Sequence, residues 1–415
     1  MPRAAEEPLA IGPITLGVAQ VLAPMADVTN APFRSLCRDA ALRAVAERGG
    51  EVTSTARHAA GGLFVCEMIT ARALVDERPS TWRLVAADPG ETPRSVQLHG
   101  VDPHTMGLAA RKLVSRGLAH HIDINFGCPV PKITRKGGGS ALPWKTSRYV
   151  DIIRHTIAGA RAGSNDAGLD FVAPVTVKIR SGIDDDHRIF RDAALAAQDA
   201  GVAAVCLHAR TTAEYYSGSA HWDDIASLVD VLDVPVLGNG DIGSGEDAHD
   251  MMAHTGCAAV EVGRGAQGRP WIFYDIAHAL AGDPRRWEPT SGQVCDLVRE
   301  HASRLVSWGG DEEHALRDMR KHMGWYLRGF PVGGEIKRGL SRVSSLAELD
   351  ELLEAIDPEI AYPVAAKGLH GRKGRTRPPK LPHGWLATRD LDEAAHAVLD
   401  RAALEHDLSY ESRVN

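Results

Sequence analysis

A chain of 415 residues with 44% hydrophobic and 24% charged residues has the composition of a globular protein with a sizeable core, which excludes a disordered or collagen-like chain. Six cysteines, Cys37, Cys66, Cys128, Cys206, Cys257 and Cys295, lie far apart without a C-x-x-C pair, so no zinc ribbon or iron–sulfur site is suggested, and reduced thiols without a metal are expected. With 47 Lys and Arg against 54 Asp and Glu the formal net charge is −7, so a nucleic-acid partner would need a local basic face.

The N-terminal residues lack the basic region and apolar core of a signal peptide, and no long uncharged apolar run appears later. A cytoplasmic protein without a membrane partner is expected, with a monomer as the favoured state. Short aliphatic runs alternate with helix-patterned stretches from the start, the signature of successive βα units. The predicted strands are Val18–Ala23, Leu63–Glu67, Ser95–His99, His121–Asn125, Val175–Arg180, Ala204–Ala209, Val236–Asn239 and Ala259–Gly263. Eight such units predict an α/β protein built on a (β/α)8 TIM barrel. Between them, Pro32, Phe33, Leu36, Cys37 and Ala40 share one helical stripe, and the Ala-rich stretch 192–199 is closed by Gly201. Residues 43–61 and 161–171, rich in small and polar residues, are expected to be surface insertions.

After about Asp283-Pro284 the rhythm changes to helical patterns alone, including Leu346–Ile356. The predicted domains are therefore a barrel over 1–282, a small all-helical domain over 283–360 and an extension over 361–415, partly flexible and basic. In that extension Lys367, Arg372, Lys373, Arg375, Arg377 and Lys380 succeed one another without an intervening acid, a pattern also expected of a solvated linker. Its last helical stretch, Leu391–Leu404, has no predicted place in the fold.

In such a barrel the chemistry lies at the C-terminal ends of the strands. Those ends carry Pro24, Met25 and Ala26; Gln97; Asn125 and Cys128; Lys178 and Arg180; His208; Asn239, Gly240 and Asp241; and Gly263 and Arg264. The glycine turns after the seventh and eighth strands resemble a phosphate cradle, where backbone N–H groups approach an anion closely. Cys128, between Gly127 and Pro129, sits on a shaped loop near Lys132, Arg135 and Lys136, and an ordinary thiol pKa of about 8.5 keeps it protonated, as a proton donor requires. Lys178 points to a functional partner or to an ion pair within the barrel, because an unpaired buried ammonium is costly.

The stretch Ile122-Asp123-Ile124-Asn125-Phe126-Gly127-Cys128-Pro129, continued through Lys132, Arg135 and Lys136 to Gly137-Gly138-Gly139, resembles the signature of the tRNA-dihydrouridine synthases. Ala23-Pro24-Met25-Ala26 with Pro32-Phe33-Arg34, the strand Val177–Arg180, Gly238–Ile242 and Gly263–Ala266 are similar in the same order, and Arg320-Lys321-His322-Met323 is like the bacterial B branch. Leu142-Pro143-Trp144-Lys145 departs from the usual aliphatic continuation. The resemblance implies an FMN enzyme that uses NADPH to reduce uridine in the D-loop of tRNA, with Cys128 as the acid. By the same resemblance Pro24, Met25, Ala26, Gln97, Lys178, His208, Asn239, Gly240, Asp241, Gly263 and Arg264 line the flavin. The resemblance also implies that Asn125 and Arg180 face the substrate. Separately, Lys132, Arg135 and Lys136 after the Cys128 loop and Arg317, Arg320, Lys321 and Arg328 at roughly helical spacing are expected to border a cleft for the tRNA elbow, since a chain of net charge −7 needs its cations gathered on one surface to hold a polyanion. Two other readings stay open: an FMN barrel oxidoreductase acting on a free pyrimidine or other small molecule, and a non-catalytic RNA-binding protein on a degenerate barrel.

Overall fold

The structure, a computed structural model, describes residues 9–369 and 375–404. Three short strands, β1 (Leu9–Ile11), β2 (Ile14–Leu16) and β4 (His58–Ala59), make a small separate sheet. Eight parallel strands close into a barrel: β3 (Gln20–Leu22), β5 (Leu63–Thr70), β6 (Ser95–His99), β7 (His121–Phe126), β8 (Val175–Gly182), β9 (Ala204–Thr211), β10 (Val236–Asn239) and β11 (Ala259–Val262), with β11 pairing back onto β3. Ile11, Ile14 and Leu16 of the small sheet are fully buried and pack in one apolar cluster with Leu63, Val65, Ala204, Cys206, Leu237 and Ala259, which plugs the N-terminal end of the lumen.

Each barrel strand has two faces with a period of two residues. Val175, Val177 and Ile179 of β8 and Val205, Leu207 and Ala209 of β9 point outward into the helix layer. Low in the barrel the inward positions combine the apolar Leu63, Val65, Ala204, Leu237 and Ala259 with the hydrogen-bonded Ser95, His121 and Thr176, and above them Asp123, Asn125, Lys178, His208, Asn239 and Glu261 crowd the upper lumen. From sequence these strands read as apolar almost throughout. The outward face accounts for that impression, and the inward polar residues are what the closed barrel brings together.

The two expected surface insertions are so in part: residues 46–53 and 165–168 are exposed, while the residues flanking them are built into the fold. Residues up to Glu47 continue the helix Ala31–Glu47, which starts at an Asn30 cap whose Oδ1 accepts the Phe33 amide at 3.1 Å, and the rest leads into β4 beside the buried Ala59, Ala60, Gly61 and Gly62. The 161–171 stretch mostly belongs to the helix Thr146–Asp166, in which Gly163 and Ser164 are buried. Its small residues serve close packing against the helix Pro103–Ser115. A Cβ at Gly159 would come within 2.0 Å of the Gly107 carbonyl oxygen, and one at Gly163 within 2.8 Å of that of Arg111.

Beyond the barrel, the helices Ser291–Gly309, Glu312–Tyr326, Gly334–Leu340 and Leu346–Glu354 share their own core around Val298, Leu316, Met319, Leu349 and Leu353. The unplaced last stretch is the helix Glu393–Leu404, and it does not belong to that core: Ala395, Leu399 and the preceding Trp385 join the main barrel core. Among the described residues no helix is long and apolar enough to cross a membrane.

Gly159→Ala is expected to destabilise the chain by about 1–3 kcal/mol, because the new methyl meets backbone that cannot swing away. Denaturant unfolding against Gly324→Ala, a helical site with open space around it, measures the packing component.

Candidate active site

The upper lumen opens into a cavity of 790 Å³ bounded by the strand ends and by the helix Glu312–Tyr326, which contributes Lys321 and Trp325. Pro24, Met25, Ala26, Gln97, Asn125, Cys128, Lys132, Lys178, Arg180, His208, Asn239, Gly240, Asp241, Gly263 and Arg264 all line it. Arg135, Lys136 and Arg320 do not. Lys136 borders a separate small cavity near Asp102, and Arg320 gives its guanidinium to the carbonyls of Val343 and Arg342 at 2.8 and 2.7 Å, which ties down the neighbouring helical turn.

Cys128 is positioned by a chain of buried side chains rather than by its loop alone. Asn125 Oδ1 accepts the amides of Gly127 and Cys128 at 3.2 and 3.0 Å, and Asn125 Nδ2 donates to Gln97 Oε1 at 2.7 Å. Gln97 Nε2 donates in turn to Asp123 at 2.6 Å, and Thr176 Oγ1 donates to the other Asp123 oxygen at 2.6 Å. From the opposite side Arg180 Nε donates to the Gly127 carbonyl at 2.7 Å while Nη1 reaches the carbonyls of Thr211 and Tyr215. The guanidinium thus joins the thiol loop to the loop after β9. Burial pushes the Cys128 thiol above its ordinary pKa, against a smaller opposing pull from the Val130 amide and Arg180, so the group carries its proton at neutral pH.

Lys178 makes the ion pair that was one of the two alternatives. It faces the cavity, and its Nζ also lies 3.3 Å from Glu261 Oε1, 2.9 Å from Asn239 Oδ1 and 3.3 Å from Cys206 Sγ. Burial disfavours the ammonium, yet Cys206 and Glu261 together hold its pKa above the ordinary value. Burial, then Glu261, push the Cys206 thiol far up. Asp123 feels the same crowding: burial, then repulsion from Glu261, raise it to about 6. His208 is held far below its ordinary pKa by burial and by Arg180, Lys178, Arg210 and Arg264, so it is a neutral ring.

The turns after β10 and β11 carry the remaining geometry. Gly240 has φ 137°, and a Cβ there would meet Ala220 at 2.6 Å, so the chain needs glycine to make this bend. Asp241, at φ 58°, accepts both contacts from Arg210 Nη2 at 2.8 and 2.7 Å and the Ala220 amide at 2.7 Å. Its carboxylate therefore organises guanidiniums, with Arg264 Nη2 at 3.4 Å, in addition to bordering the cavity.

A family model described as dihydrouridine synthase (Dus) matches residues 21–361. The chain belongs to the dihydrouridine synthase family. A protein named probable tRNA-dihydrouridine synthase from Mycobacterium tuberculosis is 46% identical over 394 residues, covering 94% of this chain and 96% of its own. Its namesake from Mycobacterium leprae is 46% identical over 382 residues, 89% of this chain and 96% of its own. A tRNA-dihydrouridine synthase B from Pseudomonas aeruginosa is 37% identical over 334 residues, 80% of this chain and 91% of its own.

Several residues of this dihydrouridine synthase that shape the site were not singled out from sequence. Tyr216, 38% exposed at the cavity wall, lies between the Arg180 and Arg264 guanidiniums at 5.4 and 4.9 Å from its ring centre. The Tyr215-Tyr216 pair just after a strand end, in a chain with 5% aromatic residues, was an available signal. Glu261 offered only its position, a carboxylate inside an otherwise apolar strand. Glu67, at the end of the second predicted strand, is buried beside the cavity and accepts the Asp27 amide at 2.8 Å. Burial raises its pKa from 4.5 to about 7, against smaller pulls that include Lys321 and Arg34.

Glu67 therefore binds its proton more tightly in the folded than in the unfolded chain. Its contribution to stability is full below about pH 4.5 and is lost as the pH rises through about 7. Denaturant unfolding between pH 5 and 8 is expected to show Glu67→Gln gaining on the parent chain as the pH rises, by on the order of 1–3 kcal/mol. Parallel curves for the two proteins would contradict this.

Proposed function

We propose that this dihydrouridine synthase reduces uridine to 5,6-dihydrouridine in the D-loop of tRNA, with FMN as its flavin and NADPH as reductant. One observation carries the reading: the Cys128 thiol, pinned through Asn125, opens into the same cavity as Lys178, Asn239 and the glycine turns after β10 and β11. The residues present fit a flavin mononucleotide. The cavity has the volume expected of a cofactor site, Gly263 leaves open space where a side chain would intrude, and Arg264 offers a guanidinium to a phosphate.

When bound, reduced FMN supplies a hydride for C6 of the uracil ring. The protein's own part begins with Lys178, whose ammonium, steadied by Asn239 and Glu261, is a fixed positive charge for the anionic reduced cofactor. His208, being neutral, offers hydrogen bonding there without adding charge. Cys128 holds its proton at Sγ until carbanion character develops at C5, and then delivers it there. The Asp123–Gln97–Asn125 chain prevents the thiol loop from drifting during that transfer, because each amide is held through both its oxygen and its nitrogen. Lys132 and Lys321 line the mouth and are placed to meet the RNA as it enters.

The purified protein is expected to be yellow and to release FMN on denaturation. Cys128→Ala is expected to keep its flavin and its reduction by NADPH, while dihydrouridine formation in tRNA, measured by mass spectrometry, falls by at least about 10²-fold. Normal turnover in that variant would remove Cys128 from the reaction. FAD or no chromophore in folded protein would overturn the cofactor assignment, and efficient turnover of free uridine would favour a small-molecule substrate.

A further inference from the structure

The match to the family ends at residue 361, and beyond it the chain returns to the barrel. Thr376 Oγ1 lies 3.2 Å from Ser217 Oγ, and the Arg377 amide donates to the Ala213 carbonyl at 2.8 Å, so this segment first touches the loop after β9, which carries Tyr216. Three residues on, the Lys380 carbonyl accepts Thr134 Oγ1 at 2.6 Å, on the loop just past Cys128.

From there the segment is anchored firmly. The Trp385 indole is buried and donates to the Ala141 carbonyl at 2.9 Å. Trp144 Nε1 and the buried Lys145 Nζ both donate to the Thr388 carbonyl, at 2.9 and 2.8 Å, and Lys145 also reaches the Asp390 carbonyl at 2.9 Å. Gly137, at φ 73°, has no room for a side chain because Trp385 and Leu399 lie within 2.6 and 3.0 Å of where its Cβ would be. Residues 375–404 are therefore a docked strap running from one lip of the active-site mouth along the other, not a free linker.

The strap's charge is one-sided. No Asp or Glu occurs between Glu359 and Asp390. Arg375, Arg377 and Lys380 are exposed, as is Arg135 beside Thr134, and among the described residues none of the four is paired with a carboxylate. The cations expected to border the cleft from the helical domain are engaged differently. Arg317 pairs with Glu313 and Lys321 with Asp318, while Arg320 and Arg328 are spent on backbone carbonyls. Lys367, further back, pairs with Glu288, while Arg372 and Lys373 lie outside the described residues. In a chain of net charge −7, a row of unneutralised cations held in place by a buried Trp anchor is a surface for a polyanion. The Pro378-Pro379 pair between Arg377 and Lys380 favours an extended backbone that keeps the charges apart.

We infer that the strap's Arg375, Arg377 and Lys380, together with Arg135, form a phosphate-binding strip that seats the RNA backbone at the lip of the active site. The inference rests on the proposed tRNA substrate and adds where that substrate is held. Phosphate contacts release counterions, so each one lost makes the dependence of log affinity on log salt shallower by about 0.7–0.9.

The test compares the parent protein, Arg375→Ala/Arg377→Ala/Lys380→Ala and Arg375→Lys/Arg377→Lys, all as full-length flavin-loaded protein with unmodified tRNA transcript. The Ala variant is expected to bind tRNA on the order of 10-fold more weakly, with a salt slope shallower by about 2–3. Its flavin content and its reduction by NADPH stay unchanged, and the loss appears in KM for tRNA and not in kcat. The Lys variant is expected to keep the parent slope. An Ala variant with the parent's affinity and slope overturns the strip. A parent protein that binds tRNA with the strap-dependent slope but forms no dihydrouridine supports the strip and overturns the proposed reaction. A parent protein that does not bind tRNA overturns both.

Discussion

Closing eight parallel strands sends every second side chain of each strand into a lumen without bulk water, and whatever is polar there must be satisfied by its neighbours. This chain fills the lower lumen with aliphatic side chains, a plugging hairpin and the mutually hydrogen-bonded Ser95, His121 and Thr176, and the upper lumen with carboxylates, amides and one ammonium. The rest of the site depends on that division. Asp123 and Glu261 are both buried there, and Lys178 sets its ammonium 3.3 Å from Glu261. Removing either partner of such a pair strands a charge in a poor solvent, which is why the two belong together.

The same polar layer reaches the Cys128 thiol. Asp123 orients Gln97, Gln97 orients Asn125, and Asn125 fixes the amides of Gly127 and Cys128. A loop residue is ordinarily only as well placed as its loop, but here the loop hangs from the barrel core by hydrogen bonds whose other ends are immobile. Arg180 pulls on the Gly127 carbonyl from the far side, and its second nitrogen ties in the segment before Tyr216. The loop after Cys128 is braced once more from outside, by Trp385 and Leu399 against Gly137. The thiol loop is thus held between the barrel interior and the C-terminal strap.

Helical and barrel regions meet at this mouth rather than at a distance from it. Lys321 and Trp325 form part of the cavity wall, and Gly268, just past β11, lies so close to Trp325 that a Cβ would come within 2.4 Å of its carbonyl carbon. Phe33, next to the buried Arg34–Glu91 pair, packs its ring on His301 and His322 of the helical region. Because backbone and rings interlock across the boundary, the cavity wall is fixed by packing on both sides.

Much of this was legible in the sequence for a simple reason: strand positions and strand-end chemistry are local properties. Eight aliphatic runs marked the eight barrel strands, and the residues just after them marked the rim, so Cys128, Asn125, Lys178, Asn239 and Gly240 stood out before any geometry was known. Small and polar composition marked the exposed residues 46–53 and 165–168 but not the buried Gly163 and Ser164, because glycine and serine suit both an open loop and a tight helix crossing, and only the Arg111 backbone against Gly163 tells them apart. Glu261 and Tyr216 gained meaning only when closure set them beside Lys178 and between two guanidiniums. The strap docks at Trp144 and Lys145, a contact across more than two hundred residues that no local pattern encodes. Chain order alone was enough to say which residues are chemically competent and which strand ends carry them, since both are written within a few residues of each other. Which cations a neighbour neutralises, and which stay open to a polyanion, emerged only on folding, because ion pairing depends on distances between segments that chain order leaves undetermined.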